Sequence, residues 1–114
     1  MGLFSLFRRN KTDSVAYRRQ MAERVAGQSI KYTTERVGDV DLVIGRSGAL
    51  ILRNDELIVY ASQDVVFRAN VTELSISELM SRDGVILTGP DRSQDGRVRT
   101  VIAYYTYYLR RNLD

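Results

Sequence analysis

The chain has 114 residues and contains neither cysteine nor histidine. Disulfides, thiolate nucleophiles, sulfur-ligated metals and the commonest general base are therefore excluded. With 44% hydrophobic and 27% charged residues, the composition is that of one small globular domain. The net charge of +3 hides an asymmetry. Residues 1–36 carry eight basic and three acidic residues, a net of +5, whereas residues 37–114 carry nine basic and eleven acidic, a net of −2. The basic excess is nearly all arginine, whose planar fork suits phosphate and carboxylate.

Three stretches are expected: an apolar-basic arm over 1–12, an amphipathic helix over 13–27 and a single β-rich domain over 28–114. In the arm, Leu3, Phe4, Leu6 and Phe7 precede Arg8 and Arg9. Its charges follow the apolar run, the reverse of a secretory signal, and the run is too short to span a bilayer. It suits a short interfacial anchor with Phe4 and Phe7 in the membrane surface and Arg8 and Arg9 on anionic lipid. The alternative is an arm that docks on its own domain or frays. The lack of an export signal and of cysteine implies a cytoplasmic protein, with the inner face of the membrane open to the arm.

The helix is signalled by Asp13 or Ser14 as N-cap, a stripe of Tyr17, Met21 and Val25, and Gly27 as a left-handed stop. Arg18, Arg19 and Arg24 fall largely off the stripe and form a candidate anion-contact face; a solvated helix face is the plainer reading. Ile30, Tyr32 and Thr34 then alternate with polar residues, as on a polar edge strand.

From residue 39 a period of two dominates. Val40, Leu42 and Ile44 predict a half-buried strand, Gly45–Gly48 a turn, and Ala49–Arg53 a strand. Asn54-Asp55 predicts a hairpin turn and Glu56–Ala61 the next strand. Gln63–Val71 follows, with Val65, Phe67, Ala69 and Val71 on one face. Leu74 and Ile76 continue a strand, Ser77–Met80 suits a helical turn, Asp83-Gly84 is a turn, and Val85–Thr88 is another strand. Gly89–Gly96 reads as the clearest loop. Arg97–Leu109 fits either period, and its Val, Thr, Ile and Tyr content favours a long strand. Short strands at close spacing imply a mainly β (α+β) fold, a small barrel or sandwich with an N-terminal helix.

The stretch Gly48-Ala-Leu-Ile-Leu-Arg-Asn-Asp-Glu-Leu-Ile-Val-Tyr60 resembles the early hairpin of bacterial pleckstrin-homology-like domains. Val66–Arg68, Val71–Ile76 and Gly84–Thr88 are similar to the strands that follow in that fold. The resemblance covers roughly residues 40–105 and rests on hydrophobic patterning. It implies a pleckstrin-homology-like barrel. Two departures stand out: Arg53 occupies the family's threonine position, and no C-terminal closing helix is evident, a role left to the N-terminal helix. The family includes lipid binders and peptide binders, so the fold alone implies no single function.

Four of the ten aromatics fall within Tyr104-Tyr105-Thr106-Tyr107-Tyr108. On a strand Tyr104 and Tyr108 share one face and Tyr105 and Tyr107 the other, so one pair lines the core and the other a surface of the composition favoured at protein interfaces. Asp39/Asp41 and Asp91/Asp95 are the acidic pairs on which a metal or acid–base reading would rest; the first pair alternates on one strand face, and a solvent-facing edge is its plainer reading. No phosphate loop is present, and no serine has a histidine to activate it.

The expectation is a non-enzymatic interaction module without cofactor or metal. It binds a protein partner or itself through an exposed strand edge or through Tyr104, Tyr105, Tyr107 and Tyr108. Phe4, Phe7, Arg8, Arg9, Arg18 and Arg19 supply any contact with an anionic membrane surface. Nucleic-acid binding through Arg18, Arg19, Arg24, Arg110 and Arg111 with stacking tyrosines ranks second. A small carboxylate-based enzyme ranks third, and no small-molecule substrate is implied.

Overall fold

The structure, a computed structural model, describes residues 14–106. They form one helix and seven strands in a single curled, half-barrel sheet. The mainly β expectation with an N-terminal helix holds. The helix, α1 (Val15–Val25), is capped by Ser14, whose hydroxyl accepts from the Tyr17 amide at 3.1 Å. It is followed by Gly27 at φ 88°, a conformation that only glycine adopts without strain. The strands are β1 (Ser29–Val37), β2 (Val40–Arg53), β3 (Glu56–Ala61), β4 (Asp64–Asn70), β5 (Ser75–Glu78), β6 (Gly84–Asp91) and β7 (Arg97–Tyr105). Their order is β4-β3-β2-β1-β7-β6-β5, and every neighbouring pair is antiparallel. No helix among the described residues is long and apolar enough to cross a membrane.

The core lies between the concave face of the sheet and α1. Met21, Ala22 and Val25 of the predicted stripe pack with Leu50, Leu57, Val59, Phe67, Leu87, Val101 and Tyr105, and Tyr17 packs against the edge of this cluster. Burying each large aliphatic side chain there contributes about 1.5–3 kcal/mol. The helix therefore forms because the sheet covers its stripe, more than from its own propensity.

Several local expectations change. Residues 29–37 form a central strand, not a polar edge, because β1 pairs with both β2 and β7. Lys31 and Arg36 keep contact with solvent, whereas Thr33 and Thr34 are buried between the neighbouring strands. Gly45–Gly48 is not a turn but part of β2, which bends there with Ser47 at φ 53°. Glycine is needed at 48 for close approach: a Cβ would fall 1.7 Å from the Tyr60 carbonyl oxygen of β3. The Gly89–Gly96 loop shrinks, since Gly89, Pro90 and Asp91 extend β6 by pairing with Arg99, Val98 and Arg97. In β4 a register shift beside Tyr60 turns Val65 outward while Phe67 and Ala69 stay in the core. Ser77 and Glu78 belong to β5 rather than to a helical turn.

Candidate functional site

β1 and β2 do not stay in the sheet along their whole length. β1 pairs with β7 only from Ile30 to Glu35, and β2 pairs with β3 only from Gly48 to Arg53. Beyond those points they continue as a two-stranded ribbon joined by the turn Gly38-Asp39, with Val37 opposite Val40. Antiparallel geometry sends Val37, Val40 and Leu42 to one face of the ribbon and Arg36, Asp41 and Val43 to the other. Val37, Val40, Leu42 and Val43 are 53%, 54%, 51% and 48% exposed. Val40 and Leu42, expected on a half-buried strand, therefore stand in solvent, because no layer lies over the ribbon among the described residues.

At the root of the ribbon, on the face that carries Val43, Tyr32 of β1 lies beside Tyr104 of β7. Their ring centroids are 4.7 Å apart and the planes tilted by 34°. Burial first, and then the neighbouring Tyr32 and Asp41, push the Tyr104 phenol above its ordinary value. On the same face Arg36 grips Asp41 with two bonds, Nε to Oδ1 at 3.0 Å and Nη2 to Oδ2 at 3.3 Å. That pairing holds the Asp41 carboxyl below the usual range.

On the concave side, the ribbon's root is held by a charged cluster that sequence reasoning missed. Arg99 of β7 donates Nε and Nη2 to the two oxygens of Glu35, at 3.0 and 2.8 Å. Its Nη1 donates to Asp91 and, at 3.0 Å, to the Val66 carbonyl of β4. Asp91 is fully buried and accepts the Arg68 amide at 3.0 Å, the Ser93 amide at 2.9 Å and the Ser93 hydroxyl at 2.6 Å. The hydrogen bonds from Arg99, opposed by burial and aided by its charge and that of Arg97, lower the Glu35 pKa. A signal was available. Asp91 and Arg99 occupy core-facing positions of the alternation in β6 and β7, where an unpaired charge would be prohibitive.

The predicted site residues divide. Tyr104 lies on the outer face, half-buried. Tyr105 is 2% exposed within the core, so it presents no interface; its β7 parity points it at α1. Arg18 donates to the Thr72 carbonyl and Arg19 pairs with Asp55, while Arg24 pairs with Glu78 at 2.8 Å. These contacts tie α1 to the 3-10 turn at Val71–Glu73, to the β2–β3 turn and to β5, and those of Arg18 and Arg19 are solvent-exposed. Phe4, Phe7, Arg8, Arg9, Tyr107, Tyr108, Arg110 and Arg111 lie outside the described residues. The acidic pairs do not assemble either. Asp39 sits in the ribbon turn and Asp41 on the strand after it, bound to Arg36; Asp91 is sealed against Arg99 while Asp95 ends a short 3-10 turn at φ 58°. Among the described residues no group of three His, Cys, Asp or Glu side chains can hold a metal ion. Comparison with family models, with curated proteins and with solved structures found no match.

Proposed function

We propose that this chain is a non-enzymatic interaction module that binds a protein partner through the β1–β2 ribbon and its Tyr32–Tyr104 flank. The observation that carries the reading is the ribbon itself: four half-exposed aliphatic side chains on a two-stranded projection. Such a projection costs stability when free and gains when covered. The flanking tyrosines supply amphipathic contact area. Two of the carboxylates on the ribbon strands, Glu35 and Asp41, are bound by Arg99 and Arg36, which suits a rigid support better than acid–base chemistry. Commitment of Arg18, Arg19 and Arg24 to partners within the chain weakens the nucleic-acid reading. The pleckstrin-homology-like resemblance gains support from the β2–β3 hairpin at Leu50–Tyr60, the strands after it, and a helix over the core.

The test is site-specific photo-crosslinking in the cells that make the protein, with the probe at Leu42 and, as control, at Arg92 on the 3-10 turn. A discrete protein adduct from Leu42 and none from Arg92 supports the reading. No adduct from Leu42 removes it.

A further inference from the structure

The ribbon has an open backbone edge as well as apolar side chains. In a two-residue hairpin the closing pair, Val37 and Val40, exchanges both ladder bonds. The next pair then faces away, and so on in alternation, so the amide and carbonyl of Asp41 and of Val43 point out of the ribbon on the side away from β1. No strand among the described residues occupies that side: β3 reaches only Gly48, and Ser62 takes up Arg46 and Ser47. The other sheet edges are protected. Arg68 and Val66 of the β4 edge are bonded to Asp91 and Arg99, and β5 is only four residues long. An open edge flanked by apolar side chains is a template for another strand.

We infer that this chain pairs with a second copy of itself edge to edge, β2 antiparallel to β2, across a two-fold axis at Leu42. The inference rests on the interaction-module reading and names its partner. Antiparallel pairing of identical edges is self-complementary and closes at two copies. The register follows from the outward groups. Asp41 of one copy exchanges both bonds with Val43 of the other, and the reverse, giving four main-chain hydrogen bonds. Leu42 then lies against Leu42 of the second copy, with Val40 beside it on the same face. A register with Asp41 opposite Asp41 sets like charges together and is disfavoured. The chosen register separates them and leaves each Asp41 on its own Arg36. The apolar side chains offered are few, Leu42 and Val40 from each copy, against roughly 800 Å² per partner in a standard interface. Association is therefore weak and concentration-dependent.

Analytical ultracentrifugation of the full chain over two decades of concentration, from about 5 to 500 µM, the range of weak self-association, tests this. Two variants accompany it. Val43→Pro removes only the outward amide, leaving the ladder to β1 whole. Leu42→Lys sets two cations together at the axis. The expected result is a wild-type mass rising toward twice the monomer, with both variants remaining monomeric and melting within a few degrees of wild type. If Val43→Pro fails to fold, Leu42→Lys decides alone. A wild type that stays monomeric throughout overturns the pairing, as does equal association of wild type and variants. Photo-crosslinking from Leu42 separates the two levels: an adduct with a different protein, from a monomeric chain, leaves the module reading standing and ends this inference.

Discussion

Arg99 holds Asp91 inside the molecule, and through Asp91 it holds two strands that the sheet order keeps far apart. Asp91 ends β6 and Arg68 belongs to β4, the far edge of the sheet, yet the Asp91 carboxylate accepts the Arg68 amide at 3.0 Å. Arg99 donates to the Val66 carbonyl on the same edge, also at 3.0 Å. Two side chains thus stand in for the missing neighbour strand, and the sheet stays curled although it does not close by a backbone ladder.

Removing the cation should be costly. Arg99→Met leaves the buried Asp91 and the half-buried Glu35 without their partner, and breaking a buried pair costs about 3–5 kcal/mol. Urea denaturation should show the midpoint falling accordingly. A loss under about 1 kcal/mol, the value of an exposed ion pair, would mean that the cluster does not close the sheet.

The acid side of the stability profile should carry the signature of Glu35. Its folded-state pKa lies below the ordinary 4.5, so its stabilisation is complete above that value and is lost as pH falls through the lower folded value. Glu35→Gln should be less stable than wild type at pH 7, and the gap should narrow in thermal melts taken below pH 4.5. A gap independent of pH would deny Glu35 that role.

Gly48→Ala should separate β2 from β3. Its new methyl meets the backbone of Tyr60 and Ala61, not a flexible side chain, so the strands must move. The expected loss is about 3 kcal/mol, at the upper end for overpacking. Gly38→Ala on the exposed turn, where nothing lies within 4 Å of the added methyl but φ is 62°, meets only left-handed backbone strain of about 1–2 kcal/mol and should cost less.

Oligonucleotides should not bind. With Arg18, Arg19 and Arg24 engaged within the chain, neither single- nor double-stranded oligonucleotides should be retarded in gels at low salt. Retardation that falls steeply with salt would restore the nucleic-acid reading.

The ribbon and the charged cluster show where local pattern stops being informative. Val40, Leu42 and Ile44 alternate as a strand should, and they are one; alternation cannot say whether a layer will cover it. Only Ile44, nearest the body, packs against the core. Residues 29–36 read as an edge because of Lys31, Thr33 and Glu35, but Thr33 is buried beside Ala103 and Glu35 is bound by Arg99. The partner that makes Glu35 acceptable, Arg99, comes from β7, 64 positions away, and no short window along the chain contains both.

Local chemistry was enough for the helix with its cap and stop, the Asn54-Asp55 hairpin, the strand periods and the absence of thiol and imidazole chemistry. Each depends on residues within a few positions of one another. Long-range pairing settled the rest. It brought the arginines of α1 to Thr72, Asp55 and Glu78, buried Tyr105 while leaving Tyr104 half-exposed, and set Asp91 beside Arg99. The opening asymmetry of charge changes meaning accordingly. Within the described residues, much of the basic front end serves the acidic body's own carbonyls and carboxylates, because a buried or half-buried charge is held only where a partner from elsewhere in the chain comes to meet it.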